Sequence, residues 1–187
     1  MQKIAILYDA SQAVLSTFDL DEVLQRILLI ARDYFHLQNV AILLLDKDKH
    51  QLCMRSQIGG EQGLDDVRVD IGSGLVGTAA KDKRPLYVPD FSKDSRFVPW
   101  GKKTRSELAI PLMVRDEVVG VLDCQSDRLD PFDPETIDLL TLFSTQASMA
   151  LQNARLYSLE QQRARQHPVK NRIARCYQSQ PEFILTV

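Results

Sequence analysis

The sequence has few cysteines and few histidines, and their placement argues against several kinds of site. Its three cysteines, Cys53, Cys124 and Cys176, are odd in number and widely separated, so they fit neither a disulfide framework nor a zinc knuckle. The three histidines are scattered and lie near no pair of cysteines. We therefore expect no metal site and no resident cofactor, and the cysteine usage favours the reducing cytoplasm.

The sequence also lacks a large net charge and long apolar runs. The formal net charge is −2, so no basic field draws the chain toward nucleic acid or anionic lipid. No apolar run approaches the roughly 18 residues that a membrane-spanning helix needs. We expect neither nucleic acid nor a membrane among the partners. With 187 residues, 44% hydrophobic and 26% charged, the composition is that of one globular domain with extensions.

Apolar residues recur at helical spacing near both ends of the chain. The first stripe predicts a helix over residues 3–17 and consists of Ile4, Leu7, Ala10, Val14 and Leu15. The second predicts a helix that Asp19 or Asp21 can cap, and consists of Val23, Leu24, Ile27, Leu28, Ala31 and Phe35. Asp133 is placed to cap a long helix from about Glu135 to Gln166, which Pro168 ends.

Strand patterns occupy the middle of the chain. They predict two antiparallel hairpins, over residues 40–45 and 51–58 and over residues 106–114 and 117–125. Between the hairpins we expect short extended pieces and a short helix over residues 75–81, opened by the turn Gly72-Ser73-Gly74. This order predicts an α+β fold, with one antiparallel sheet, terminal helices packed on one face and a ligand-cup region on the other.

Four sequence blocks carry a resemblance to a known family. They are Gly72-Ser-Gly-Leu-Val-Gly77, Arg84-Pro-Leu-Tyr-Val-Pro-Asp90, Ser106-Glu-Leu-Ala-Ile-Pro-Leu112 and Val119-Gly-Val-Leu-Asp-Cys-Gln-Ser126. Through these blocks, roughly residues 19–158 resemble a GAF domain, a small sensor module that is usually a ligand cup and a dimer joint. The resemblance leaves residues 1–18 as an N-terminal helix and residues 159–187 as a helical extension and tail.

Residues 89–105 form a long polar segment that we expect to cover the sheet as a lid. Its aromatic residues Phe91, Phe97 and Trp100 can line an apolar pocket, or they can plug the gap beneath the segment. Arg105, at the end of the segment, can meet an anion. A sensor and a ligand-free scaffold, whose cup is filled by its own aromatic rings, therefore both remain open.

Glu107 and Asp123 are acids inside apolar strands. Each can hold a ligand amine, or each can accept backbone N–H bonds from the adjoining loop. The strand alternation does not decide which side of the sheet is the cup. The candidate ligand-binding residues are Leu75, Val76, Phe91, Phe97, Trp100, Arg105, Glu107, Asp123 and Gln125, and we expect no catalytic residue.

One enzyme group within the family also resembles the chain. The GAF-type free methionine-(R)-sulfoxide reductases share the Ser-Glu and Gly-Val-Leu-Asp blocks, and their equivalents of Glu107 and Asp123 belong to the substrate pocket. The chain departs from them because Gln125 stands where a second Asp is expected and residues 59–106 contain no cysteine. Since sulfoxide reduction needs a thiolate and a nearby partner thiol, we expect no enzyme. The signatures of covalent bilin, cyclic-nucleotide and haem binding are also missing.

The last helix carries two apolar stripes, which is more than one side of a domain needs. One stripe consists of Leu140, Phe143, Ala147, Ala150, Ala154 and Tyr157, and the other consists of Leu142, Met149 and Leu156. The second stripe can face another chain in a coiled-coil-like seam, or it can be buried within a monomer. We expect a homodimer joined by the first and last helices, in which a small molecule bound beneath residues 89–105 changes the helix pairing. The tail carries no output-domain signature, so we expect an output partner elsewhere or action through association alone.

Overall fold

The computed structural model describes residues 17–59, 66–94 and 104–166 of the chain. The helix expected over residues 3–17, the tail after Pro168, and the side chains of Phe97 and Trp100 lie outside these ranges. Within them, no helix is both long enough and apolar enough to cross a bilayer. The elements are α1 (Leu20–Phe35), β1 (Asn39–Asp46), β2 (Gln51–Ile58), β3 (Arg68–Asp70), α2 (Gly74–Asp82), β4 (Leu86–Val88), a 3-10 turn (Phe91–Lys93), β5 (Ser106–Val114), β6 (Glu117–Ser126) and α3 (Pro134–Gln166).

The strands form one six-stranded sheet in the order β3-β2-β1-β6-β5-β4. Every neighbouring pair is antiparallel, so the α+β expectation and both predicted hairpins are confirmed. Strands β5 and β6 are nearly continuously buried, because helices cover them on both sides.

Helix α1 begins and ends where its sequence predicts. The carboxylate of Asp19 accepts the backbone N–H of Glu22 at 2.9 Å, which identifies Asp19 rather than Asp21 as the cap. His36 adopts a left-handed conformation with φ 55° and ends the helix. The predicted stripe is buried from Val23 to Ala31.

Two apolar clusters lie on opposite faces of the sheet. On the helix face, α1 and α3 pack against alternate strand residues that include Val40, Ile42, Leu108, Ile110, Leu112, Leu122 and Cys124. On the cup face, α2 and the 3-10 turn pack against the other residues, and the cluster is Ala41, Leu43, Leu52, Met54, Leu75, Val76, Ala79, Ala80, Leu86, Val88, Phe91, Ala109, Val118 and Val121.

Glycines set the entry into α2, as the sequence predicts. Gly72 and Gly74 have φ of +91° and +60°, backbone conformations that residues with a Cβ rarely adopt. A Cβ on Gly77 would lie 2.3 Å from the carbonyl oxygen of Asp70, so only glycine lets α2 approach the end of β3 this closely.

The two stripes of α3 have different environments. The first, from Leu140 to Ala154, is buried on the helix face. The second is half-exposed, with Leu142 and Met149 each 49% exposed and Leu156 51% exposed. Tyr157 departs from the first stripe, because its ring is exposed and stacks on Phe18 with the ring centroids 5.2 Å apart.

Truncating Leu28 tests the packing of α1. Its side chain is fully buried, while that of the adjacent Leu29 is 39% exposed. We expect Leu28→Ala to lower the free energy of unfolding by about 2–5 kcal/mol, because it leaves a cavity against the sheet. Leu29→Ala should change the same quantity by less than about 1 kcal/mol. Urea unfolding of both variants measures the difference, and equal losses would contradict the packing described.

Candidate functional site

Three polar side chains are buried on the cup face among apolar neighbours. Glu107, Asp123 and Gln125 are 3%, 2% and 7% exposed. Strand alternation groups them with Ala109 and Val121, which belong to the cup-face cluster. The open question of which sheet face carries the acids is thus answered, since they lie on the side covered by α2.

A short chain of hydrogen bonds links these groups. The hydroxyl of Thr104 donates to Gln125 Oε1 at 3.0 Å, and Gln125 Nε2 donates to Asp123 Oδ2 at 2.8 Å. The carboxyls of Asp123 and Glu107 are neighbours, and one can donate a hydrogen bond to the other when it is protonated. Among the described residues, the side chains of Thr104 and Gln125 thus connect the start of β5 to Asp123.

Burial dominates the electrostatics of the pair. It raises the pKa of Glu107 well above its ordinary value, and the neighbouring Asp123, the hydrogen bond to it and the charge of Asp94 raise it further. Burial also raises the pKa of Asp123 to about 6, against the lowering effect of the hydrogen bonds from Glu107 and Gln125. Two neighbouring carboxylates away from water do not both ionise readily, so burial favours a proton on the pair.

The apolar candidates line the same side of the sheet. Leu75, Val76 and Phe91 are buried in the cup-face cluster. The backbone N–H of Phe91 donates to the carbonyl of Arg105 at 2.9 Å, and the N–H of Arg105 donates to Ser126 at 2.8 Å. The first bond joins the start of residues 89–105 to the end of the same segment, and the second joins that end to β6.

The nine predicted site residues therefore separate into three groups. Six lie together in buried positions on the cup face: Leu75, Val76, Phe91, Glu107, Asp123 and Gln125. Arg105 is exposed, so its side chain does not join them. Phe97 and Trp100 lie outside the described residues.

Neither described cysteine faces the acids. Cys124 is fully buried on the helix face, where burial raises the pKa of its thiol well above the ordinary value and the charges of Asp123 and Glu107 add to the rise. Cys53 lies between Leu52 and Met54, two cup-face residues, so it points to the opposite face. Its sulfur accepts a hydrogen bond from Arg68 Nη1 at 3.5 Å. No cluster of metal-ligating side chains occurs in the described parts of the chain.

Two residues of the site carry no sequence signal. Thr104 precedes β5, and its hydroxyl reaches Gln125 only because the chain enters the strand beside the end of β6. Asp94 follows the 3-10 turn and influences Glu107 through its charge. Both come from a polar segment in which many similar residues occur, so pattern alone could not single them out.

Comparison with known proteins agrees with this architecture. The model of the GAF domain family matches residues 19–151, which is most of the chain. The chain belongs to the GAF domain family. GAF domains form a family of ligand-binding signalling domains, so a sensory or regulatory role follows at this coarse level.

Curated relatives match only part of their own length. The chain is 36% identical over 66 residues to GAF domain-containing protein A of Dictyostelium discoideum. The aligned region covers 35% of this chain and 42% of that protein. It is 22% identical over 153 residues to the probable 3',5'-cyclic phosphodiesterase pde-5 of Caenorhabditis elegans, covering 74% of this chain and 21% of that protein. It is 25% identical over 162 residues to the formate hydrogenlyase transcriptional activator FhlA of Escherichia coli K12, covering 81% and 23%. The chain thus spans less than half of each of these relatives.

Solved structures share the fold at low identity. The GAF domain of an Acinetobacter phosphoenolpyruvate-protein phosphotransferase superposes with a TM-score of 0.75 at 22% identity, covering 84% of this chain and 98% of that structure. The free methionine-R-sulfoxide reductase of Neisseria meningitidis, in complex with its substrate, superposes with a TM-score of 0.75 at 21% identity, covering 83% and 91%. The same fold thus occurs in a domain of a phosphotransferase and in a reductase, so the fold alone does not assign an activity to this chain.

Removing the Glu107 carboxyl should flatten the dependence of stability on pH. Because the folded-state pKa of Glu107 is raised, its proton stabilises the fold at low pH. That contribution is lost as pH rises from the unfolded-state pKa through the raised folded-state pKa. We expect the free energy of unfolding of Glu107→Gln to fall less than that of the wild type between about pH 5 and about pH 8.

Glu117→Gln is the matched control for this measurement. Glu117 is exposed, and the hydrogen bond from Lys47 lowers its pKa, so its contribution changes only at more acidic pH. Urea unfolding across the pH series gives both profiles. Parallel curves for wild type and Glu107→Gln would show that Glu107 does not hold a proton in the folded protein.

Proposed function

We propose that the chain is a regulatory GAF domain that binds a small molecule beside Glu107 and Asp123, and that it works as a homodimer through α3. The observation that carries the proposal is the buried polar group on the cup face. Burying two acids in an apolar layer costs free energy, and a core that served packing alone would gain stability from apolar side chains there. Such a cost is typical of a site that recognises a ligand.

The strands give the site a short connection to the terminal helices. In β6, Asp123 faces the cup while its neighbours Leu122 and Cys124 pack on the helix face against α1 and α3. A ligand that displaces the Asp123 backbone therefore shifts residues in contact with α3, because a densely packed layer has little room to absorb the movement. The ligand must bind one helix arrangement more tightly than the other to transmit anything.

The half-exposed stripe of α3 supports self-association. Leu142, Met149 and Leu156 recur every seven residues on the side of the helix that faces away from the buried stripe. Leu156 and Leu159 also line an open groove of about 620 Å³ between α3, the start of α1 and the β5–β6 turn. A continuous apolar strip of this kind is typical of an interface, and a second copy offers the same strip in return.

A reductase function is disfavoured by the placement of the thiols. The enzyme needs a thiolate at the substrate and a second thiol to resolve the disulfide. Cys124 is buried behind β6 and Cys53 faces away from the cup, so neither can attack a molecule held by Asp123 without a rearrangement of the sheet. Cys176 lies outside the described residues. We therefore propose a non-catalytic domain in a reducing cytoplasm, with no resident cofactor.

A thermal-shift screen with a metabolite library tests the ligand proposal. We expect at least one compound to raise Tm, because a ligand present at 100 times its Kd adds about 2.7 kcal/mol, or roughly 5–10 °C for a domain of this size. The shift should disappear in Asp123→Asn and persist in Asp116→Asn, which changes an exposed acid in the β5–β6 turn. A library without any hit would favour the ligand-free scaffold. Thiol-dependent turnover of free methionine sulfoxide, lost in Cys53→Ser or Cys124→Ser, would instead identify an enzyme.

Charge substitution on α3 tests the homodimer. We expect Leu142→Glu combined with Met149→Glu to convert a dimer into a monomer, because it places repelling carboxylates in the apolar seam. Leu129→Glu is the matched control, since Leu129 is similarly exposed at 44% but lies in the loop before α3. Sedimentation equilibrium measures the mass of each variant. A wild-type monomer, or a dimer unaffected by the double substitution, would contradict the proposed interface.

A further inference from the structure

One oxygen of the buried acid pair has no hydrogen-bond donor among the described residues. Asp123 Oδ2 accepts the amide of Gln125 at 2.8 Å, but Asp123 Oδ1 has no donor from any amide, hydroxyl or cationic group of the described residues. Within those residues, neither Asp123 nor Glu107 forms an ion pair with a basic side chain. A buried carboxylate oxygen without a partner is costly, and most such atoms in proteins are satisfied.

In the absence of a ligand, a proton is the donor that holds the pair together. The two carboxyls contact each other, so one can donate an O–H to the other. The arrangement then carries a net charge of about −1, because one acid of the pair stays ionised. Asp94 adds a further negative charge to the surroundings of Glu107.

The space beside Asp123 is set by small residues. In the sheet, Asp123 lies opposite Ala41 on β1 and opposite Ala109 on β5. Neither alanine carries atoms beyond Cβ that could fill the position next to the carboxyl. Among the described residues, the same face also carries the uncharged Gln125 on β6 and the apolar Leu75 and Val76 on α2, while Asp94 is the charged group that acts on Glu107 from outside the pair. The thiol of Cys124 lies on the other face of the sheet.

An anion is a poor match for this site. A carboxylate or phosphate group would bring acceptors to a place that already has too many acceptors and a negative charge. A positively charged nitrogen supplies an N–H donor for the unpartnered Asp123 Oδ1 and a charge of opposite sign.

We propose that the ligand of this site carries a cationic nitrogen, an alkylammonium or amidinium group, whose N–H donors replace the proton shared by Glu107 and Asp123. This inference rests on the proposed function and narrows it to one class of ligand. On binding, the O–H bond of the protonated carboxyl breaks, its proton passes to solvent, and N–H···O bonds form to both carboxylates. Binding of the cation is therefore coupled to proton release, and its apparent affinity rises with pH until the pair is ionised without the ligand.

Three probes with one shared ring test the charge preference. Benzylamine, benzyl alcohol and benzoate differ at neutral pH only in carrying a cationic, neutral or anionic group. We expect benzylamine at millimolar concentration to raise Tm of the full chain and the other two to have no effect. Isothermal titration calorimetry of benzylamine in phosphate and in Tris should give binding enthalpies that differ by the ionisation of about one proton.

Conservative variants separate the inference from a loss of folding. Glu107→Gln keeps a permanent N–H donor beside Asp123, so we expect a folded protein that no longer releases a proton when benzylamine binds and binds it more weakly. Asp123→Asn should abolish the benzylamine shift. Glu117→Gln, which changes an exposed acid, should behave as the wild type does.

The results that would overturn the inference are distinct from those that would overturn the proposed function. Stabilisation by benzoate or benzyl alcohol equal to that by benzylamine, or enthalpies identical in the two buffers, refutes the cationic ligand. No shift with benzylamine, together with a neutral or anionic hit in the metabolite screen that requires Asp123, refutes it too and leaves a ligand-binding domain standing. No hit of any class refutes both.

Discussion

Strands β5 and β6 are covered on both faces, so each of their residues must pack either against α1 and α3 or beneath α2. Because successive side chains of a strand point to opposite faces, the position of each residue in this alternation decides which layer it packs in. Leu122 and Cys124 fill the helix face, and Asp123 between them is forced into the other layer. A slip of one residue in register would place the acids in the layer of α1 and α3 and leave leucines beneath α2. The hydrophobic pattern that fixes the sheet therefore also fixes where the acids lie.

Much of this architecture follows from local patterns. The capped stripe of α1, the two hairpins and the length of α3 depend on neighbouring residues, and their positions agree with the sequence to within a few residues. The choice of face does not follow from alternation alone, because it depends on which side of the finished sheet the helices cover. For the same reason Thr104 escaped prediction, since its bond to Gln125 joins two strand ends 21 residues apart. The helical spacing places Tyr157 on the first stripe of α3. The buried part of that stripe ends at Ala154, and Tyr157 is exposed.

The family resemblance and the side chains constrain different properties. Structures at 21–22% identity include a domain of a phosphotransferase and a reductase, so the fold leaves the activity open. The direction of the thiols is more informative, because nucleophilic attack needs contact with the substrate. Cys124 is next to Asp123 in sequence, yet the pleat of β6 directs the two side chains to opposite layers. Neighbouring positions on a strand therefore place the acid and the thiol on opposite faces of the sheet, where the thiol does not contact a molecule bound at the acid.

The hydrogen-bonding needs of a buried acid pair can be met either by a proton or by a bound cation. A pair with these two alternatives is suited to a regulated site. With the proton in place, the carboxyls contact each other and the layer beneath α2 closes over them. A cation between them must separate the carboxyls, because its N–H groups need room that a single proton does not. Glu107 and Asp123 stand on adjacent strands, so that separation acts on the β5–β6 hairpin, whose opposite face packs against α3. Under the proposed function, the two occupants favour different spacings of the same hairpin, and this is the differential binding that transmission to a dimer interface on α3 would require.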